Sequence, residues 1–254
     1  MLRLTYDLKP IHGEKKMRIP LLCGLFALSV GCLVAGSRAQ APASEPKKVR
    51  LTPSQNVLLE TDGKARRVLI EATVIHREAN LELEEFLCRK HNKEHESILS
   101  GDFDARDVHA TLLAAGAKAG TPVVYHPDYK PATGSRIRVS VRHPGPDGKV
   151  LTSNARDWVK NHKTGKELAS DWVFAGSGFT DNPEDPKKPI YLANQGDVIC
   201  LSNFNTAMLD LPIASSQKAG ELLFFPWTDR IPPVGTKVTV VLEVVGDEEK
   251  QGKK

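Results

Sequence analysis

The chain has 254 residues, with 35 Lys and Arg against 31 Asp and Glu, and a formal net charge of +4. Six of the basic residues and two of the acidic ones lie in the first 39 positions, so the rest of the chain is close to neutral. A neutral body excludes binding driven by a strongly basic face. We therefore expect neither nucleic acid nor an anionic membrane surface as a partner of the folded part.

The N-terminus has the pattern of an export signal. Basic residues precede an apolar run at 19–36, and small residues up to Ala39 form a cleavage site. We predict that residues 1–39 are a signal peptide, with translation starting at Met1 or Met17. The protein would then be exported to the periplasm or the cell envelope.

Two alternatives stay open for this leader. The apolar run approaches the roughly 20 residues that span a bilayer, so an uncleaved anchor is one alternative. Lipidation at Cys32, which follows a glycine, is the other. We expect membrane association only if the leader is uncleaved or Cys32 is lipidated.

The segments that follow the leader divide by composition. Residues 40–55 are rich in Pro, Ser, Lys and Ala without periodicity, which predicts a flexible linker. Residues 56–245 contain the periodic segments and form the predicted domain. The polar stretch 246–254 is predicted to be a disordered tail.

Most of the predicted domain reads as strand. A β-branched segment at 67–75 follows a turn centred on Asp62-Gly63, which predicts a hairpin. Residues 135–142 alternate between apolar and polar, and 236–245 has the strongest strand composition. Shorter strands are predicted at 156–160, 171–175, 190–194, 197–203 and 221–225.

One helix is predicted at 105–115, between an N-cap at Asp104 and a stop at Gly116. The segment 84–96 is ambiguous, because as a helix it would place Glu84, Cys88, His91 and His95 on one face, whereas it could equally contain a loop. We predict an α+β fold, a predominantly antiparallel β-sheet with one or two helices.

Four segments resemble the YdjY domain family: KEHESIL at 93–99, VHATLLAAGAKAG at 108–120, QGDVICLSNFNTAMLDLP at 195–212 and TDRIPPVGT at 228–236. The resemblance covers roughly residues 50–245. It implies an exported bacterial protein without an established activity. Some relatives are described as ferredoxin-type, but only Cys88 and Cys200 would remain after export, so we expect no iron–sulfur cluster.

The segment 84–96 also supplies the candidate site. Lys93, Glu94, His95 and Glu96, together with His109, are the predicted binding residues. His95, His109 and Glu96 could hold a transition metal such as zinc, with Cys88 and His91 as second-rank ligands. The simpler interpretation is a solvated charged face, and a ligand pocket without metal is the third.

We expect an exported cell-envelope protein that acts as a non-catalytic binding or structural module for a ligand or protein of unknown identity. A metal-binding protein or a metal-dependent hydrolase is the alternative, so enzymatic activity stays open. Whether Cys88 and Cys200 pair in the oxidising compartment also stays open.

Overall fold

The computed structural model describes residues 45–215 and 223–246. The predicted signal peptide, with Cys32 and both candidate start positions, and the predicted tail beyond Gly246 lie outside these residues. In the described part of the chain, no helix is long and apolar enough to cross a membrane.

The described residues form fifteen strands and one α-helix. The first seven strands are β1 (Lys47–Val49), β2 (Val57–Asp62), β3 (Ala65–Val74), β4 (Glu85–Arg89), β5 (Ser97–Gly101), β6 (Arg136–Pro144) and β7 (Val150–Asn154). The next eight are β8 (Val159–Asn161), β9 (Trp172–Phe174), β10 (Phe179–Thr180), β11 (Ile190–Tyr191), β12 (Ile199–Cys200), β13 (Leu209–Asp210), β14 (Phe224–Pro226) and β15 (Lys237–Val244). The helix, α1, is Ala105–Ala114, and 3₁₀ turns occur at Glu94–Glu96, Ala155–Trp158, Leu192–Gln195 and Thr228–Arg230.

Eight strands close into a barrel. Their order is β3, β15, β6, β9, β13, β12, β4 and β5, and β5 pairs back with β3. Neighbours are antiparallel except β12 with β13 and β4 with β5, which are parallel. β2 and then β1 extend the sheet outward from β3, and β7 pairs only with β6. Apolar side chains of these strands and of α1 form one large buried cluster, so the barrel and the helix share a core.

The α+β prediction is wrong, because the protein is mainly β. Strands account for 37% of the described residues and helices for only 12%. The segment 84–96 is not a second helix. It begins with β4, which hydrogen-bonds β5 and β12 and buries four of its five residues. Pairing on both edges therefore outweighs the local helix preference of its Leu and Glu residues.

The helix prediction is confirmed. The Asp104 side chain caps α1 by accepting a hydrogen bond from the backbone N–H of Arg106 at 2.8 Å. Gly116 ends the helical segment with φ of +99°, and its N–H donates to the carbonyl of Leu113. Leu112 on the same helix is fully buried, so α1 covers the core with one face.

The stronger strand predictions are also confirmed. β2 and β3 form the expected hairpin, although its two-residue loop is Gly63-Lys64 and Asp62 still pairs in the ladder. Alternation in β6 buries Ile137, Val139 and Val141. One difference concerns residues 47–49 of the predicted linker, which form β1 against β2.

Candidate functional site

A tight connection between two parallel strands, the crossover turn (residues 90–96), carries most of the predicted site residues. Ser97 at the start of β5 lies opposite Glu85 at the start of β4. The crossover turn therefore spans the full length of β4 to bring the chain back to the beginning of that strand. Parallel neighbours usually need a dozen or more connecting residues. The short return explains the left-handed backbone of His91 and Lys93, with φ of 68° and 51°.

The Lys93 side chain lies among four carboxylates, which we call the carboxylate cluster. The distances from Lys93 Nζ are 2.9 Å to Asp197 Oδ1, 3.6 Å to Glu96 Oε1, 3.8 Å to Glu84 Oε2 and 3.9 Å to Glu85 Oε1. These acids come from β4, from the residue before it, from the crossover turn and from the loop before β12. The barrel therefore brings together residues about a hundred positions apart in the chain.

The Lys93 side chain packs against Gly196 and Phe204. Gly196 has φ of +129°, and a Cβ at that position would lie 2.9 Å from Lys93 Cγ. The ammonium group also lies over the ring of Phe204, 3.8 Å from its centroid. The Asp197 carboxylate and the Phe204 ring, which lie in the loops before and after β12, thus hold the ammonium.

Glu85 and Asp197 form the inner pair of the cluster, with side chains 0% and 6% exposed. Neither carboxylate oxygen of Glu85 has a hydrogen-bond partner among the described residues. Burial, together with the charge of Asp197, raises the pKa of Glu85 well above its usual value. The pKa of Lys93 is raised, because Asp197 and Glu85 outweigh the opposing effect of burial. Lys93 therefore stays charged at neutral pH, whereas burial disfavours the ionised form of Glu85.

Glu84 and Glu96 form the outer pair, with side chains 42% and 18% exposed. Burial and then the nearby charge of Glu96 raise the pKa of Glu84. Because its side chains are more exposed than those of the inner pair, the outer pair is the part of the cluster that solvent and solutes can reach.

Glu94 faces a different surface, a groove that we call the seam groove. Its Oε1 accepts a hydrogen bond from Ser100 Oγ at 2.6 Å. The groove, of about 520 Å³, lies where β3 changes its neighbour from β2 to β5. Its lining residues are Asn56, Glu71, Ala72, Thr73, Ile75, Lys90, Glu94, Ser100, Gly101, Asp102 and Lys237.

The structure separates the two histidines of the predicted site. His95 projects from the crossover turn with its side chain 80% exposed, and its Nε2 is 3.6 Å from Glu96 Oε2. His109 lies on α1, where its Nδ1 is 2.8 Å from the Tyr191 hydroxyl and its ring packs against Phe174. The described residues contain no group of three or more His, Cys, Asp or Glu side chains placed to hold a metal ion.

His109 has a defined hydrogen-bonding role. The Tyr191 hydroxyl donates to the carbonyl of Gly176 at 2.9 Å, so it accepts from the Nδ1–H of His109. Burial lowers the pKa of His109. His109 is therefore a neutral imidazole that links α1, through the Tyr191 hydroxyl, to the loop before β10. This is a packing role.

The second-rank residues also lie apart. Cys88 is buried on β4, its Sγ donates to the carbonyl of Leu99 at 3.5 Å, and burial raises its pKa to about 12. Cys200 is buried as well, and both cysteines are free thiols. Cys200 pairs with Glu85 rather than with Cys88 in the ladder. His91 is exposed in the crossover turn.

Sequence reasoning missed Glu85, Asp197 and Phe204. Glu85 stands at the start of the apolar run Phe86-Leu87-Cys88, and Asp197 directly precedes another apolar run at 198–201. An acid next to a buried strand is a signal for a polar group inside the fold. That signal does not say which cation lies beside it.

Comparison with protein families gives one match, in which the family model of the YdjY domain covers residues 59–243. No curated protein and no solved structure matches the chain.

Proposed function

We propose that this chain, which belongs to the YdjY domain family over residues 59–243, is an exported, non-catalytic binding module of the cell envelope. The leader pattern at 1–39 supports export. Binding, rather than a purely structural role, is supported by the seam groove.

The charges in the seam groove carry this proposal. Lys90 and Lys237 lie in the same groove as the acids Glu71, Glu94 and Asp102. Some of these charged side chains already have hydrogen-bond partners, since Lys237 Nζ donates to the hydroxyl of Thr73 at 2.9 Å.

Two lining charges, by contrast, are free to take a ligand. The ammonium of Lys90 and the carboxylate of Asp102 have no hydrogen bond or ion pair among the described residues. Opposite charges left free in one groove suit a small polar ligand that carries both an ammonium and a carboxylate, such as an amino acid or a short peptide.

The nucleophilic side chains support a non-catalytic role. The thiols of Cys88 and Cys200 are buried and have raised pKa values, so neither is a thiolate at neutral pH. Ser177 Oγ donates to the carbonyl of Thr206. Ser153 Oγ lies 2.9 Å from His143 Nε2. Two surface grooves border His143, and Ser153 lines neither of them.

An NMR titration tests the binding proposal. The probes are glycylglycine, alanyl-lysine and alanyl-glutamate, each added to the isotopically labelled protein up to about 10 mM, enough to saturate a site with a Kd of about 1 mM. We expect saturable changes in the amide signals around Lys90, Glu94 and Asp102 for at least one probe.

Charge-removing variants complete the test. Lys90→Gln and Asp102→Asn should weaken the response, because each removes a free charge from the groove. Lys187→Gln, an exposed lysine outside the groove, is the matched control and should leave the response unchanged. If no probe gives saturable changes, or if the groove variants respond like the control, the groove is not the ligand site.

A further inference from the structure

We propose that the outer pair of the carboxylate cluster, Glu84 and Glu96, is a second binding site that takes the primary ammonium group of a small organic amine. The site is distinct from the seam groove, because neither Glu84 nor Glu96 lines that groove.

The cluster contains more acidic groups than basic ones. Four carboxylates surround one ammonium within 4 Å. At 2.9 Å, the ammonium of Lys93 makes its close ion pair with Asp197 of the inner pair, and it lies against the Phe204 ring. Lys93 is thus committed to the inner side of the cluster.

The outer pair has no close cation of its own. Lys93 Nζ is 3.8 Å from Glu84 and 3.6 Å from Glu96, beyond hydrogen-bond distance in both cases. His95 Nε2 is also 3.6 Å from Glu96, and its ring is largely in solvent. A cation that settles between Glu84 and Glu96 would find two acceptors that the protein leaves without a charged donor.

Glu85 provides an independent sign that the cluster lacks donors. Its side chain is fully buried, it points toward the Lys93 ammonium at 3.9 Å, and both of its oxygens lack a hydrogen-bond partner among the described residues. Buried polar groups are nearly always hydrogen-bonded, so an unpartnered one calls for an explanation. A second ammonium at the outer pair would repel Lys93 toward Glu85 and so supply the missing donor.

The chemistry of the cluster favours an ammonium over a metal ion. The cluster already accommodates one primary ammonium, that of Lys93, between carboxylates and an aromatic face. No group of three or more ligands in the described residues is arranged for a metal ion. A primary ammonium has three N–H donors, enough to bridge two carboxylates.

Calorimetry with cadaverine, a diamine whose ends resemble a lysine side chain, tests the proposal on the purified full chain at low ionic strength. Cadaverine should bind saturably. Glu84→Gln and Glu96→Gln should each weaken binding about tenfold, since each removes one charged acceptor. Glu82→Gln is the matched control, because Glu82 is exposed and its carboxylate lies outside the cluster.

Three results would overturn the proposal. One is the absence of saturable binding. Another is equal binding by the Glu84→Gln, Glu96→Gln and Glu82→Gln variants when all keep the circular dichroism spectrum of the parent. The third is binding of Ca²⁺, rather than cadaverine, that depends on Glu84 and Glu96, which would make the site a metal site.

Discussion

Replacement of Asp210 by Asn should stabilise the protein at neutral and alkaline pH. Asp210 lies on β13 and is 0% exposed. Its Oδ1 accepts hydrogen bonds from Asn203 Nδ2 at 3.0 Å and from the N–H of Leu211 at 2.7 Å. Its Oδ2 has no partner in the part of the chain described. An asparagine can keep both accepted bonds and place its amide nitrogen where Oδ2 now lies.

The magnitude follows from the pKa of Asp210. Burial raises that pKa from 3.8 to about 7, and each tenfold change in acid dissociation corresponds to about 1.4 kcal/mol. Ionising Asp210 in the folded state therefore costs up to about 4 kcal/mol more than in the unfolded chain. The negative charge of Asp197 contributes to this cost, after burial.

The sign depends on pH. Below about pH 4 both states hold the proton and the cost is absent. Between about pH 4 and pH 7 only the unfolded chain ionises, so the stability of the fold decreases as pH rises, and above about pH 7 the full cost remains. The asparagine variant lacks this loss.

Urea denaturation at about pH 4.5 and about pH 8 measures the effect. The free energy of unfolding of Asp210→Asn, relative to the parent, should increase by about 2–4 kcal/mol between the two conditions. Asp181→Asn, an exposed acid, is the control and should show no such increase. A difference that stays constant with pH would refute the reasoning that burial raises the pKa of Asp210.

Three further predictions concern the core, the thiols and the leader. Leu112→Ala should lower the free energy of unfolding by about 2–5 kcal/mol, while Leu113→Ala, at a position 49% exposed, should change it by less than about 0.5 kcal/mol, as measured by urea denaturation. Cys88 and Cys200 should react with a thiol reagent only after denaturation, because both are buried; rapid labelling of the folded protein would contradict their placement. N-terminal sequencing of the protein from the periplasmic fraction should begin at Gln40, and any other start would move the cleavage site.

The elements that were predicted correctly have local signals. α1 has a capping aspartate at 104, an apolar stripe and a terminating glycine at 116, all within one short stretch. β6 and β15 show strand composition over eight or nine residues. The short strands β12 and β13 are each only two residues long. Their pairing depends on distant neighbours, which a local pattern does not contain.

The α+β prediction was wrong because local sequence patterns do not show which strands pair with each other. The segment 84–96 contains helix-forming residues, but β4 gains hydrogen bonds from β5 on one edge and from β12 on the other. Backbone groups that are buried must be paired, and the barrel offers that pairing. Closure between β3 and β5 rests on only two residue pairs, Thr73 with Ser100 and Val74 with Leu99.

The candidate site was located in the chain but not resolved into its parts. The charged residues at 93–96 indicated a polar site. In the structure, Lys93 and Glu96 lie in the carboxylate cluster, Glu94 lines the seam groove and His95 is exposed to solvent. The tight return of the crossover turn sets these directions. No periodic pattern of strand or helix describes such a turn.

By itself, the sequence determined the leader pattern, the near-neutral body, the family, the helix and the long strands, because each depends on neighbouring residues or on composition. Only the tertiary structure decided that the barrel closes and that Lys93 lies between Asp197 and the outer pair. Those contacts join residues about a hundred positions apart, and chain closure on that scale depends on the packing of the whole core.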